Sequence, residues 1–138
     1  MTTPQTTSLE LSKKLRALGV PQKSCFYWKL SEIQQKYVLV DYTAIKIDHS
    51  KKPRNWDYPV YSAYLSDQIG RWLPINFSYS RGSERWHVRY WSANPDPLRT
   101  SSTFVHHIEH ESMVEAMALM LIYLIENGYI DVKSLKNV

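Results

Sequence analysis

The densest group of chemically versatile side chains in this sequence is the run His-His-Ile-Glu-His at residues 106–110. His106, Glu109 and His110 have the H-x-x-E-H spacing, which on a helix turns two imidazoles toward one zinc ion, as in metal-dependent hydrolases. The run precedes a helix start at Ser112, however, so we predict a loop or strand, and only 28 residues follow in which a further ligand can lie. We favour an exposed polar loop without a metal and keep the hydrolase as the weaker alternative.

Alternation of apolar and polar residues marks a second group, in residues 75–91. The alternation on both sides of the turn at residues 81–84 predicts a β-hairpin with one apolar and one polar face. The polar face and its turn carry five candidate binding residues: Arg81, Arg85, His87, Arg89 and Trp91. Basic groups interleaved with an aromatic side chain are typical of sheets that bind single-stranded nucleic acid through phosphate contacts and stacking. A solvated sheet face without a ligand is the other interpretation.

Three helices are expected to frame these strands. The first begins at a capping box, with Thr7 as N-cap and Glu10 reaching back to it. The second is predicted from Tyr61 to Leu73 by apolar residues at helical spacing. The third occupies residues 112–127. Because residues 116–125 are apolar on every side, we expect this C-terminal helix to be central and buried.

Strands are predicted at residues 26–30 and 37–42, and further short ones near residues 45–47 and 103–105, besides the hairpin. Short connections between consecutive strands favour antiparallel pairing. We therefore expect a single α+β domain over residues 1–138, with a mainly antiparallel sheet of four to six strands and about three helices. Residues 1–6 are expected to be disordered.

Composition limits the classes of protein that this chain can belong to. It has 138 residues, 43% of them hydrophobic and 22% charged, which suits one folded domain rather than a disordered segment. The single cysteine, Cys25, excludes an internal disulfide, and we expect this thiol to be buried. The longest apolar run is too short for a membrane span and the N-terminus lacks an apolar signal segment, which together predict a cytoplasmic protein. The net charge of +4 favours an anionic partner only weakly.

Three segments share features with a known group of proteins. Residues 11–28 combine a helix, the sequence Gly-Val-Pro and an aromatic strand, residues 65–74 form a helix that ends in Leu-Pro, and residues 116–128 form an apolar helix ending in Gly. In this combination the chain resembles small uncharacterised proteins of bacteriophages and prophages. The resemblance implies a bacterial or phage origin in the cytoplasm and no known activity. It carries no catalytic residue over to this sequence.

Common enzyme signatures are missing from the sequence. It contains no glycine-rich phosphate loop, no nucleophile elbow and no cysteine pair, so no catalytic residue is assigned. We expect a non-enzymatic binding or accessory protein that needs no cofactor, has no membrane partner and acts on an unidentified protein through its surface. Aromatic residues crowd residues 56–64, and such side chains anchor many protein interfaces. The alternatives are single-stranded nucleic-acid binding by the hairpin and, more weakly, metal-dependent hydrolysis.

Overall fold

The computed structural model describes residues 5–41, 60–74, 77–92 and 103–136. Within these ranges the chain forms three α-helices and two three-stranded antiparallel sheets, which confirms the predicted α+β class. The elements in chain order are α1 (Leu9–Ala17), β1 (Phe26–Ser31), β2 (Lys36–Asp41), β3 (Tyr61–Ala63), α2 (Ser66–Trp72), β4 (Phe77–Arg81), β5 (Trp86–Ser92), β6 (Thr103–His110), α3 (Met113–Glu126) and a 3₁₀ turn (Val132–Ser134).

Helix α3 is the centre of the core, as its sequence predicted. Eight of its residues are buried, because apolar side chains cover the helix on all sides. It contacts α1, α2 and the second sheet, and the buried cluster around it includes Leu15 of α1, Ile69 of α2 and Val88 of β5. One helix therefore joins the other helices to the sheet that carries the candidate site. Among the helices of the described ranges, none is long and apolar enough to cross a membrane.

The first sheet has the strand order β2–β1–β3 and holds the segment that precedes α1. Trp28 Nε1 donates a hydrogen bond to the Thr7 carbonyl at 3.0 Å, and the Tyr64 amide donates to Thr7 Oγ1 at 3.0 Å. Thr6, which the sequence placed in a disordered leader, forms an isolated antiparallel bridge with Leu65. Residues 1–4 lie outside the described ranges.

The second helix is shorter than the apolar spacing predicted. Residues Tyr61–Ala63 form strand β3 and the helix begins only at Ser66, so the predicted start at Tyr61 is wrong. Tyr61 pairs with Trp28 of β1, whose edge supplies backbone hydrogen-bond partners that a local pattern does not reveal. A strand partner from elsewhere in the chain has thus overridden the helical periodicity.

The start of the first helix also differs from its prediction. The N-cap is Ser8, one residue later than expected. Thr7 is instead buried, with its hydroxyl 2.8 Å from the hydroxyl of Ser12. The Ser8 amide donates to Glu115 Oε1 of α3 at 2.6 Å, so the carboxylate that completes this cap comes from another helix and not from Glu10.

Cys25 is exposed, so the expectation of a buried thiol is wrong. It lies just before β1, where the inward position of the strand is taken by Tyr27.

Several predicted features fall outside the described residues: the strand near residues 45–47, the first part of the aromatic segment 56–64, and Ile75 at the start of the second hairpin.

The second sheet has the strand order β4–β5–β6 and consists of the predicted hairpin and a third strand. That third strand runs over residues 103–110, so it contains the whole histidine run. A register shift after Tyr90 leaves Val105 as an extra residue in β6, which is the pattern of a β-bulge. Val88 and Tyr90 are buried in the core beside α3, so this side of the sheet is its inner side.

Candidate functional site

The side of the second sheet that points away from α3 collects most of the candidate residues, and we call it the outer face. Val88 is fully buried on the inner side. Its neighbours His87 and Arg89 point the other way, because side chains alternate along a strand. In the adjacent strand, Glu109 is paired with His87 and His107 with Arg89. The outer face therefore sets residues of β5 directly beside residues of β6.

His87 and His107 are in contact at the centre of the outer face. His87 Nδ1 lies 2.9 Å from His107 Nε2, and the two rings are 12° from parallel with their centroids 5.1 Å apart. Rings stacked face to face cannot bring two atoms to 2.9 Å, so the imidazoles meet edge to edge. One nitrogen donates a hydrogen bond and the other accepts it, which requires the accepting ring to be neutral.

Glu109 lies beside this histidine pair. Its Oε2 is 3.7 Å from His87 Nδ1, and its Oε1 is 3.5 Å from Arg85 Nη1. The side chains of Arg85 and Glu109 are 48% and 46% exposed, so their ion pair contributes no more than about 1 kcal/mol to stability. Glu109 can therefore exchange Arg85 for another cation at little energetic cost.

The electrostatics of the outer face favour a neutral His107. Loss of hydration lowers the pKa of His107, and the neighbouring Arg89 and His87 lower it further, against a smaller opposite effect of Glu109. His107 therefore offers an unprotonated nitrogen at neutral pH. Arg89 has no carboxylate within salt-bridge distance among the residues that the structure describes, so its charge is available to an anion.

Two aromatic side chains extend the outer face beyond Arg89. Trp91 pairs with Phe104 after the register shift, and their rings meet edge to face, with centroids 5.1 Å apart at 71°. Phe104 keeps 48% of its surface exposed. The outer face thus ends in an aromatic pair with a ring open to solvent.

The backbone at Gly82 in the hairpin turn packs against the His87 ring on the side opposite His107. A Cβ atom at Gly82 would lie 2.8 Å from His87 Nε2 and 3.3 Å from the Arg85 carbonyl oxygen, so the turn backbone packs directly against the imidazole. The Gly82 amide closes this turn by donating to the same carbonyl at 2.8 Å. His87 Nε2 therefore faces the turn, which leaves Nδ1 to face His107.

The structure does not bring together the predicted metal triad of His106, Glu109 and His110. Because residues 103–110 form a strand, both histidines lie on the inner side and Glu109 lies on the outer face. The His106 ring stacks on Tyr123 of α3 with centroids 3.6 Å apart. His110 Nδ1 accepts a hydrogen bond from the Ser112 amide at 2.9 Å, so it caps α3.

Four of the five predicted nucleic-acid contacts share the outer face, and Arg81 does not. Arg81 pairs with Trp86 on the inner side, where its guanidinium lies 5.5 Å from the centre of the Trp86 ring. His107 and Phe104, which the sequence did not single out, join the outer face from β6. Alternation through residues 103–110 as a third strand would have placed His107 beside Glu109 on this face. Phe104 reaches the outer face only because of the register shift at Val105, which local alternation does not reveal.

Comparison with known protein families, curated proteins and solved structures found no match. Function is therefore inferred from the outer face itself, since a fold class alone does not specify an activity. That face offers guanidinium, imidazole, carboxylate and aromatic groups within reach of a single ligand.

Proposed function

We propose that the outer face of the second sheet binds single-stranded nucleic acid. One observation carries this proposal: Arg85 at the end of the turn and Arg89 in β5 lie on the outer face together with the aromatic pair of Trp91 and Phe104. Two arginines beside an open ring match the two features that a single strand presents, a chain of phosphates and unstacked bases.

The cationic part of this face suits the phosphate backbone. Arg89 is unpaired within the described part of the chain, and Arg85 is held only by its half-exposed contact with Glu109. A phosphate can therefore displace the weak ion pair of Arg85 and engage Arg89 directly. With only two arginines and one opposing carboxylate, we expect modest affinity and a slope of log affinity against log salt of about −1 to −2.

The aromatic part of the face suits bases. Phe104 exposes 48% of its surface and is supported edge-on by Trp91. A ring fixed in this way loses little side-chain freedom when a base stacks on it. Stacking tolerates every base, so little sequence preference is expected from this contact.

Fluorescence polarisation of labelled single-stranded DNA and RNA, measured from low to moderate salt in the presence of EDTA, tests the proposal. We expect Arg89→Ala to flatten the slope of log affinity against log salt by about one unit, because one phosphate contact is lost. We expect Phe104→Ala to weaken binding by about 1–3 kcal/mol at every salt concentration, because a stacked base is lost.

Two control variants remove the same groups from other surfaces. Arg71→Ala deletes an exposed arginine of α2, and Tyr79→Ala deletes an exposed aromatic ring that lies on the opposite side of the second sheet. Both should bind like the wild type. Equal losses in the controls, or no retention of either nucleic acid by the folded wild type at low salt, would reject the proposal.

A protein partner is the second candidate. Ile33 lies in the connection between β1 and β2 and exposes 95% of its surface, the highest fraction among the large apolar side chains of the described residues. Such a side chain at the tip of a hairpin can insert into a pocket of a partner. If the wild type retains no nucleic acid, the next experiment compares how the wild type and Ile33→Ser capture a protein partner, and we expect Ile33→Ser to capture less.

A further inference from the structure

We propose that His87, His107 and Glu109 form a binding site for a divalent transition-metal ion of the zinc class. This set shares only Glu109 with the H-x-x-E-H set, and its two histidines come from different strands, His107 from β6 and His87 from β5. The site lies on the outer face but does not depend on nucleic-acid binding, since its ligands are the imidazole and carboxylate groups and not the arginines or the aromatic pair.

The distances among the three side chains fit one small ion. Ligand atoms about 2.0–2.1 Å from a tetrahedral zinc ion lie about 3.3 Å from each other. The two nitrogens are 2.9 Å apart, and Glu109 Oε2 is 3.7 Å from His87 Nδ1, so these two separations bracket that value. One atom from each of the three residues lies within 4.8 Å of the others.

The contact between the histidines already has the form that a metal ion can replace. The two nitrogens meet edge to edge at 2.9 Å, so one of them donates a proton to the lone pair of the other. A metal ion takes the place of that proton once small rotations of the two rings let both lone pairs meet at one point. Metal ligands must be unprotonated, so the ion competes with protons for these two nitrogens.

The surroundings hold the ligands in place without burying them. His87 is wedged between the turn at Gly82 and His107, and the ligands sit on paired neighbouring strands. Glu109 supplies negative charge and gives up only its weak contact with Arg85. Three protein ligands leave a fourth position open, which is the arrangement of an exchangeable site and not of a closed structural one.

The ligand set also selects among metals. Two imidazoles and one carboxylate suit zinc, copper, nickel and cobalt, whereas magnesium and calcium prefer oxygen ligands alone. The three ligands lie outside the apolar core, so the chain is expected to fold without the ion. Bound metal would neutralise Glu109 and add positive charge to the outer face.

Isothermal titration of the untagged, metal-free protein with zinc, and visible absorption with cobalt, test the site without nucleic acid. We expect one equivalent of each ion to bind and magnesium to show no binding. His87→Ala, His107→Ala and Glu109→Gln should each lower zinc affinity by at least about tenfold, a loss that changes around bound metal commonly cause.

The matched control is His106→Ala, which removes a histidine of the same strand from the inner side. It should keep the zinc affinity of the wild type, with folding of all variants checked by circular dichroism. The proposal is overturned if the wild type binds no zinc or cobalt, or if the ligand variants and the control lose affinity equally. Because polarisation with nucleic acid is measured in EDTA, failure of one proposal leaves the other intact.

Discussion

At the scale of single residues, the outer face depends on a glycine as much as on its histidines. The turn backbone at Gly82 packs on His87 so closely that a Cβ would lie 2.8 Å from Nε2. On the opposite side of the ring, His87 Nδ1 lies 2.9 Å from His107 Nε2. A group added at Gly82 would therefore disturb the contact between the two histidines. A turn residue with no functional group thus decides where an imidazole points.

Gly82→Ala should therefore displace the His87 ring and break its hydrogen bond to His107. Because the turn is largely exposed, we expect the free energy of unfolding to change by about 1 kcal/mol or less. NMR signals of the two imidazoles report the displacement, and Ser83→Ala in the same turn serves as the control. Unchanged His87 and His107 signals in the alanine variant would contradict this prediction.

At the scale of elements, the second sheet and α3 have separate tasks. The inner side of the sheet is fixed by apolar packing, with Val88 and Tyr90 in the core around α3. The outer face is free to carry polar groups because the sheet is buried on its other side, where it packs against α3. Any function of the outer face therefore rests on the stability of α3.

Leu121→Ala in α3 should cost about 2–5 kcal/mol of unfolding free energy, because it leaves a cavity in the core. Leu121 has no exposed surface, and Ile33→Ala removes comparable apolar atoms from a side chain that is 95% exposed. Chemical denaturation measures both. The control should change by about 0.5 kcal/mol or less, and a loss below about 1 kcal/mol for Leu121→Ala would show that α3 is not central.

At the scale of the whole molecule, one carboxylate connects two helices that are far apart in the sequence. Glu115 lies in the first turn of α3, yet its Oε1 accepts from the Ser8 amide at the start of α1, 107 residues away. In a local capping box, Glu115 would accept a hydrogen bond from the Ser112 amide. Here the Ser112 amide donates to His110 Nδ1 instead. Glu115 of α3 therefore caps the start of α1, and His110 takes the place of Glu115 at the start of α3.

Glu115→Ala should destabilise the fold by about 1–2 kcal/mol, the usual cost of losing a capping partner together with a negative charge at a helix N-terminus. Glu10→Ala removes the carboxylate that the sequence had assigned to this cap, and it should cost less because its side chain is exposed in the first turn of α1. Thermal unfolding compares the two. An equal or larger loss for Glu10→Ala would mean that the cap is local.

Much of this architecture followed from short-range patterns. The apolar run of α3 and the alternation on both sides of the turn in the second hairpin predicted elements that the structure confirms. The same reasoning failed for Tyr61–Ala63, where helical spacing lost to an available strand edge. It also failed for Glu109 as a partner of His106, because alternation in a strand separates them.

The sequence by itself determined which residues alternate, where the main helix lies and which side chains can bind an anion or a metal, because each of these depends on neighbours a few positions away. Only the tertiary structure decided that His87 meets His107 and that Glu115 caps α1. Both depend on which strand or helix lies alongside and in which register. A shift of β6 by one residue would turn His107 and Glu109 inward and bring His106 and His110 to the outer face.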